Sequence, residues 1–132
     1  MLKLLLDTNI VIYVIKRRPP SALTRFNQHQ GQMAISAITL AELVHGAQKS
    51  SDPPRNLAVV QDFRSRLTVL DYSERAAHHY ASIRAALEIA GQTIGVNDLH
   101  IAAQARCDGL VLVSNNLREF ERVPGLLTDN WV

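Results

Sequence analysis

Sulfur chemistry is almost absent from this chain. One cysteine, Cys107, stands in 132 residues, which excludes an internal disulfide and a cysteine-built zinc site. It reads as a core residue. Long hydrophobic runs are missing too. The opening run MLKLLLDTNIVIYVI is interrupted by Asp7 and stops at Lys16, Arg17 and Arg18. It is too short and too broken for a membrane span, and it lacks a small-residue cleavage site. The expectation is a soluble, unexported protein. Nor is one sign of charge dominant: 14 basic residues against 12 acidic ones give a formal net charge of +2. That balance does not establish nucleic-acid binding; it only removes an objection to a polyanionic partner. There is no internal repeat, low-complexity tract or linker. The longest polar stretch is QKSSDPPRN, which reads as a loop between helices. Paired histidine ligands are absent as well. His78 and His79 are adjacent and point to different sides of a helix, His100 is two residues from Asp98, and His29 and His45 have no partner at ligand spacing.

What remains is an apolar chain, 47% hydrophobic, long enough to bury a core in one domain. Periodicity and punctuation order it. Strands are expected at 2–6, 33–36, 68–71 and 110–114, with a short fifth near 125–128. Helices are expected at 9–17, 21–30, 38–48, 54–67, 73–91 and 97–107, with Ser73 and Asn97 as caps and Gly91 just past an end. Strands alternating with helices, and apolar on both faces, imply a parallel sheet with helices on both sides. The fold class is therefore α/β, a three-layer α/β/α sandwich around about five parallel strands. In such a sheet strand C-termini and helix N-termini meet at one edge, where ligands bind.

That edge collects the polar residues that interrupt the apolar pattern. Asp7 ends the first strand. Glu42 lies early in the helix after the second strand. Asp98 opens the helix leading to the fourth strand, and Ser114, Asn115, Asn116 and Glu119 follow that strand. Taken singly, Asp98 reads as a cap, Glu42 as an exposed helical glutamate, and Asn115 and Asn116 as turn residues. Asp7 is different, because its neighbours are apolar and an unpaired buried carboxylate is costly. Several carboxylates at one edge repel one another unless a hard cation sits among them. An oxygen-only donor set points to Mg²⁺ or Mn²⁺ rather than zinc, and such a site suits phosphoryl chemistry. The Lys16, Arg17 and Arg18 cluster is either a solvated helix end or a contact for RNA.

Three stretches then carry a resemblance: LLDTNIVIY, ISAITLAELVHGA, and IGVNDLHIAAQA with LVLVSNNLREFERVPGL. In this order and spacing, over nearly the whole chain, they resemble the PIN-domain ribonucleases and most closely the VapC toxins of bacterial toxin–antitoxin pairs. The resemblance implies a single PIN domain over residues 1–132. It implies an Mg²⁺-dependent endoribonuclease, with Mn²⁺ able to substitute, that acts as a translation-inhibiting toxin. The expected RNA is tRNA, with the initiator tRNA anticodon stem-loop favoured. It also implies a cognate VapB-type antitoxin, a homodimer, a bacterial cytoplasmic location, and contact with DNA only through the antitoxin. By motif match the core acids fall on Asp7, Glu42 and Asp98, as catalytic residues and metal ligands. Ser114 supports Asp7, and Thr8 and Asn9 start the following helix. Many family members carry an acid where this chain has Asn116, so the fourth carboxylate is expected at Glu119, with Asn116 in support. The expected reaction is attack of an activated water on phosphorus, giving a 5′ phosphate and a 3′ hydroxyl, with Asp98 or Glu42 as base.

Other readings are a non-toxin PIN nuclease of RNA processing, a non-cleaving RNA-binding module and a phosphoacceptor receiver-like domain. A receiver would use an aspartate after the third strand, where Asp71 stands, but it would also need paired acids after the first strand and a lysine after the last. Asp7 is followed by Thr8 and Asn9, and no such lysine is present.

Overall fold

A computed structural model describes all residues, Met1–Val132. The strands are β1 (Leu4–Leu6), β2 (Met33–Ser36), β3 (Thr68–Leu70), β4 (Val111–Val113) and β5 (Thr128–Asp129). The helices are α1 (Thr8–Lys16), α2 (Pro20–Gln28), α3 (Ala37–Gln48), α4 (Pro53–Arg64), α5 (Glu74–Ile89), α6 (Val96–Asp108) and α7 (Leu117–Phe120). The strands form one parallel sheet in the order β3-β2-β1-β4-β5.

Side-chain alternation along β1 explains the layers. Leu4 and Leu6 pack with Ile10, Val14, Phe26, Leu43 and Phe63 beneath α1, α2, α3 and α4. Leu5 points the other way, into Ile83, Leu87, Leu99, Ala102 and Phe120 beneath α5, α6 and α7. Both faces of β1 are thus covered, which is why it reads as an unbroken apolar run. The chain steps outward from β1 to β2 to β3 and then returns across the opposite face to β4. Right-handed crossovers require that change of face when the direction reverses. The crevice where the direction reverses lies between β1 and β4, whose register pairs Leu6 with Val113. The order also differs from the 2-1-3-4-5 arrangement of receiver-type sheets.

Local chemistry sets the helix ends. Ser36 accepts from the Ile38 amide at 3.0 Å and Ser73 from the Ala76 amide at 3.1 Å, capping α3 and α5. Asp52 accepts from the Arg55 amide ahead of the α4 prolines. Gly91 and Gly109 take positive φ just past α5 and at the end of α6, where a side chain would be strained.

Several expectations need correction. Asn97 is not the cap of α6: Gly95 holds that position without a side-chain bond, and Asn97 and Asp98 lie inside the first turn. β5 begins at Thr128 rather than at 125. α4 stops at Arg64, because Ser65 and Arg66 close a turn onto the Asp62 and Phe63 carbonyls. α7 was not expected, since four residues are too few to show a period.

Candidate active site

Asp7 is held from two sides. It is the N-cap of α1, and its Oδ1 accepts from the Thr8 amide at 2.7 Å. Its Oδ2 accepts from the Ser114 hydroxyl at 2.8 Å, across the β1–β4 crevice. The Asn116 amide donates to that same Ser114 oxygen at 2.9 Å. With its acceptor side taken, the Ser114 hydroxyl directs its proton at Asp7. Asp7 is only 4% exposed and Ser114 is fully buried, so this relay operates in a low-dielectric setting that strengthens it. Burial is the main influence on the Asp7 carboxyl and pushes its pKa up. The Ser114 and Thr8 hydrogen bonds oppose the rise, while Glu42 and Glu119 add to it.

Glu42 enters from the second turn of α3 and is half-buried. The Thr8 hydroxyl donates to its Oε1 at 2.8 Å and lies 3.3 Å from the buried Thr39 hydroxyl. Thr8 therefore links the start of α1, where Asp7 sits, to the acid on α3. Sequence reasoning missed Thr39. Its signal was the three-residue spacing from Glu42, which places both on one helix face.

Asp98 and Glu119 form the other side. Asp98 is half-buried in the first turn of α6, and Glu119 stands in α7. The Asp98 carboxyl is pushed up to about 7, first by burial, then by the charge of Asp7 and a hydrogen bond shared with Glu119, and further by the charges of Glu119 and Glu42. Two carboxyls share a hydrogen bond only if one carries a proton. No donor from the rest of the chain offsets these influences, in contrast to Asp7.

The acids thus feel one another's charge at one sheet edge, although no three of them are gathered into a ready-made metal cage. Their chemistry nonetheless fits a hard divalent cation: every donor is a carboxylate oxygen, with no cysteine or histidine among them. Such an ion would draw the carboxylates together and displace the shared proton.

The remaining candidates are placed differently. Asn116 caps α7 and contributes its backbone amide to Ser114 rather than its side chain. Asn9 is exposed on α1 and makes no side-chain bond to the acids. Lys16, Arg17 and Arg18 are exposed at the far end of α1, about 13 Å along the helix from Asp7. Lys16 does line a cleft of about 420 Å³ whose walls include Thr8, Ile12, Glu42, Leu43, Ala47 and Val60. Asp71, the receiver-type candidate, is exposed, and its carbonyl accepts from Gln104. Asn115 ties its loop to α1 through a 2.9 Å bond to the Tyr13 hydroxyl, another link between distant segments.

Comparison with known proteins agrees with this fold. Residues 4–126 match the family model of the PIN domain. Ribonuclease VapC2 of Haemophilus influenzae (strain Rd) is 63% identical over 132 residues, covering 100% of both chains. The tRNA(fMet)-specific endonuclease VapC of Shigella flexneri is 54% identical over 131 residues, 99% of each chain. Among solved structures, DNA-bound VapBC from Salmonella typhimurium contains a chain that superposes with a TM-score of 0.96 at 52% identity, over 100% of both.

Proposed function

The chain belongs to the PIN-domain family, among its VapC ribonucleases, and from that premise we propose that it is a divalent-metal-dependent endoribonuclease toxin that cuts tRNA and so arrests translation. The observation that carries the reading is the buried Asp7, fixed by Ser114 and Thr8 at the β1–β4 crevice within reach of the charges of Glu42, Asp98 and Glu119. Initiator tRNA is the favoured substrate, because the Shigella flexneri relative is named for tRNA(fMet). No helix is long and apolar enough to cross a membrane, in keeping with a proposed cytoplasmic site of action.

Asp7, Glu42, Asp98 and Glu119 are the residues that would hold the ion. When bound, Mg²⁺ would neutralise the acids, polarise the phosphate and favour deprotonation of water. The chain's own part is positioning and proton transfer. Ser114 and the Asn116 amide keep Asp7 in one rotamer, and Thr8 does the same for Glu42. Asp98 or Glu42 would take the proton from the attacking water. Attack on phosphorus breaks its bond to the 3′ oxygen, which takes up a proton from solvent, leaving a 5′ phosphate and a 3′ hydroxyl.

The cleft between α1, α3 and α4 supports the partner. Ile12, Ile15, Leu43, Ala47, Val59 and Val60 line it, and Thr8 and Glu42 stand at its acidic end. An antitoxin segment with apolar side chains in the cleft and an arginine at the acids would fit both. Structures of relatives are of VapBC complexes, some with DNA, which supports a VapB-type antitoxin as the partner; contact of this chain with DNA is proposed to run only through that antitoxin. A homodimer completes the proposal.

The test is cleavage of purified initiator tRNA with Mg²⁺ or EDTA, together with mapping of new 5′ ends after brief expression in bacteria. Metal-dependent cuts in the anticodon stem-loop are expected. Full cleavage in metal-stripped EDTA buffer would overturn the mechanism. Cuts confined to other RNAs would overturn the substrate.

A further inference from the structure

Away from the acids, one cluster of rings and an arginine stands out on α5 and α6, at the surface of the core. His100 Nδ1 lies 2.8 Å from the Tyr72 hydroxyl, and the two rings meet edge to face at 4.9 Å. Tyr80 lies parallel to the His100 ring, with centroids 4.3 Å apart and planes 12° apart. Arg84 Nη1 donates to the Tyr80 hydroxyl at 2.6 Å, and its guanidinium carbon is 5.9 Å from the Tyr80 ring centre. Arg84 Nε pairs with Glu88 at 3.5 Å, which leaves further N–H donors without a protein partner. The three rings are half-buried and Arg84 is exposed. Ile83, Leu87, Leu99 and Ala102 supply the buried apolar contact between α5, α6 and the sheet. Tyr80 packs against that core from outside, and the tyrosine–histidine stack built on it keeps part of its surface exposed.

Its position is set by the fold. Gln104 Nε2 donates to the Leu70 and Asp71 carbonyls, clamping the exit of β3 to α6. Tyr72 therefore leaves the sheet at the edge where Asp7 leaves it, two strands away in the order β3-β2-β1, or about 10 Å at ordinary strand spacing. His100 shares the first turns of α6 with Asp98 but, two residues on, lies on a different side of the helix, so the cluster flanks the acids rather than joining them. Stacked aromatic rings with an adjacent arginine are what unpaired bases and their phosphates bind, since every base has a π face.

We propose that Tyr72, Tyr80, His100 and Arg84 form a nucleobase platform that takes an unpaired base of the RNA flanking the scissile phosphate, with Arg84 meeting a neighbouring backbone phosphate. The proposal rests on the ribonuclease reading and adds to it where the strand is held. Tyr80 and Arg84 act in binding, not in bond cleavage.

The test compares wild type with Tyr80→Leu, Tyr80→Phe and Arg84→Gln on two substrates: an RNA stem-loop with an unpaired loop, and thymidine 5′-(p-nitrophenyl phosphate), a diester too small to span both places. Tyr80→Leu should raise KM for the stem-loop about tenfold with kcat within about twofold, the scale of one lost stacking contact. Arg84→Gln should raise it less, and Tyr80→Phe, which keeps the stack, least. Turnover of the small diester should be unchanged in all three. In EDTA, fluorescence anisotropy should show stem-loop affinity falling in the same order. Unchanged KM and affinity would overturn the platform. So would equal losses on both substrates, which mark a structural role, or a changed mass in solution, which marks a subunit contact. Arg84→Gln lies at an exposed position and keeps the test open if Tyr80→Leu does not fold. If wild type cleaves neither substrate the ribonuclease reading fails, while the anisotropy series still decides the platform.

Discussion

The two sides of the acidic edge are built on opposite principles. On the β1 side Asp7 is surrounded by donors: the Thr8 amide, the Ser114 hydroxyl and, behind it, the Asn116 amide. On the α6 side Asp98 meets another carboxyl, Glu119, and its pKa rises to about 7. Donors hold Asp7 in place and oppose the rise that burial imposes on its carboxyl; Asp98, set against its own kind, has nothing to oppose that rise and stores a proton near neutrality. The contrast sets an acid held by donors against an acid that titrates, and it can be broken from either side.

The largest effect should come from removing the charges one at a time. Asp7→Asn, Glu42→Gln and Asp98→Asn should each lower cleavage by on the order of 10³-fold, because groups that act as a unit fail together. The check is single-turnover cleavage of the tRNA by each purified variant. Wild-type rates from Asp98→Asn would remove Asp98 from the mechanism.

Stability in EDTA should separate what activity does not. Like-charge repulsion alone, which is what the sequence offers, leads one to expect Asp7→Asn to melt higher than wild type. The hydrogen bonds change that expectation. Asp7→Asn replaces an acceptor with an amide facing the Ser114 hydroxyl and breaks the relay, so it should melt lower than wild type, by about 1–3 kcal/mol for a disrupted buried bond. Asp98→Asn loses no donor and relieves repulsion, so it should melt higher. Mg²⁺ should stabilise wild type, since it binds only the native state, and should stabilise both variants much less. Melting curves with and without Mg²⁺ measure all four. An Mg²⁺ shift in Asp7→Asn equal to that of wild type would mean that Asp7 is not a ligand.

The pH dependence sharpens the same contrast. Asp98 has a folded pKa raised from 3.8 to about 7. Between those values the native state holds a proton that the unfolded state has released. Metal-free stability must therefore fall as pH rises from about 4 through 7. Asp98→Asn should flatten that fall, and wild type should become more sensitive to Mg²⁺ as the pH rises. Denaturant midpoints at pH 5 and pH 8 in EDTA provide the measurement. A wild-type midpoint that climbs across that range, with no difference in Asp98→Asn, would contradict the assignment of Asp98 as the titrating group.

These contrasts also show what a sequence makes legible. Leu4–Leu6 and Met33–Ser36 announce themselves because burial on both faces removes all polarity from short runs, and Ser73 because a cap acts on its own neighbours. The place of Asp7, Glu42 and Asp98 at one edge follows from topology alone. What joins them is not local. The Thr8–Glu42 bond spans 34 residues and the Ser114–Asp7 bond spans 107, and no periodicity encodes either. The start of α6 was misplaced because Asn97 has the chemistry of a cap, whereas Gly95 supplies only the required backbone shape. α7 and β5 were missed or misplaced because the rest of the fold dictates them more than their own residues do.

The smallest expected effect concerns the fourth position, where the chain offers an amide and, three residues on, an acid. Glu119 shares a hydrogen bond with Asp98 and contributes charge to both Asp98 and Asp7. Glu119→Gln should therefore slow cleavage, less severely than Asp98→Asn, and should lower the pH at which Asp98 titrates, since one raising charge is gone. Asn116 serves through its main-chain amide, which donates to Ser114 whatever the side chain is. Asn116→Ala should accordingly leave cleavage within a few fold of wild type, whereas Ser114→Ala, which removes the hydroxyl itself, should cost about 1–3 kcal/mol of stability, as an unmade buried bond to a charged group does. The comparison is made on rate against pH for Glu119→Gln and Asn116→Ala side by side. A silent Glu119→Gln beside an inactive Asn116→Ala would move the fourth role to the amide side chain. It would also mean that the shared proton between Asp98 and Glu119 has no part in the reaction.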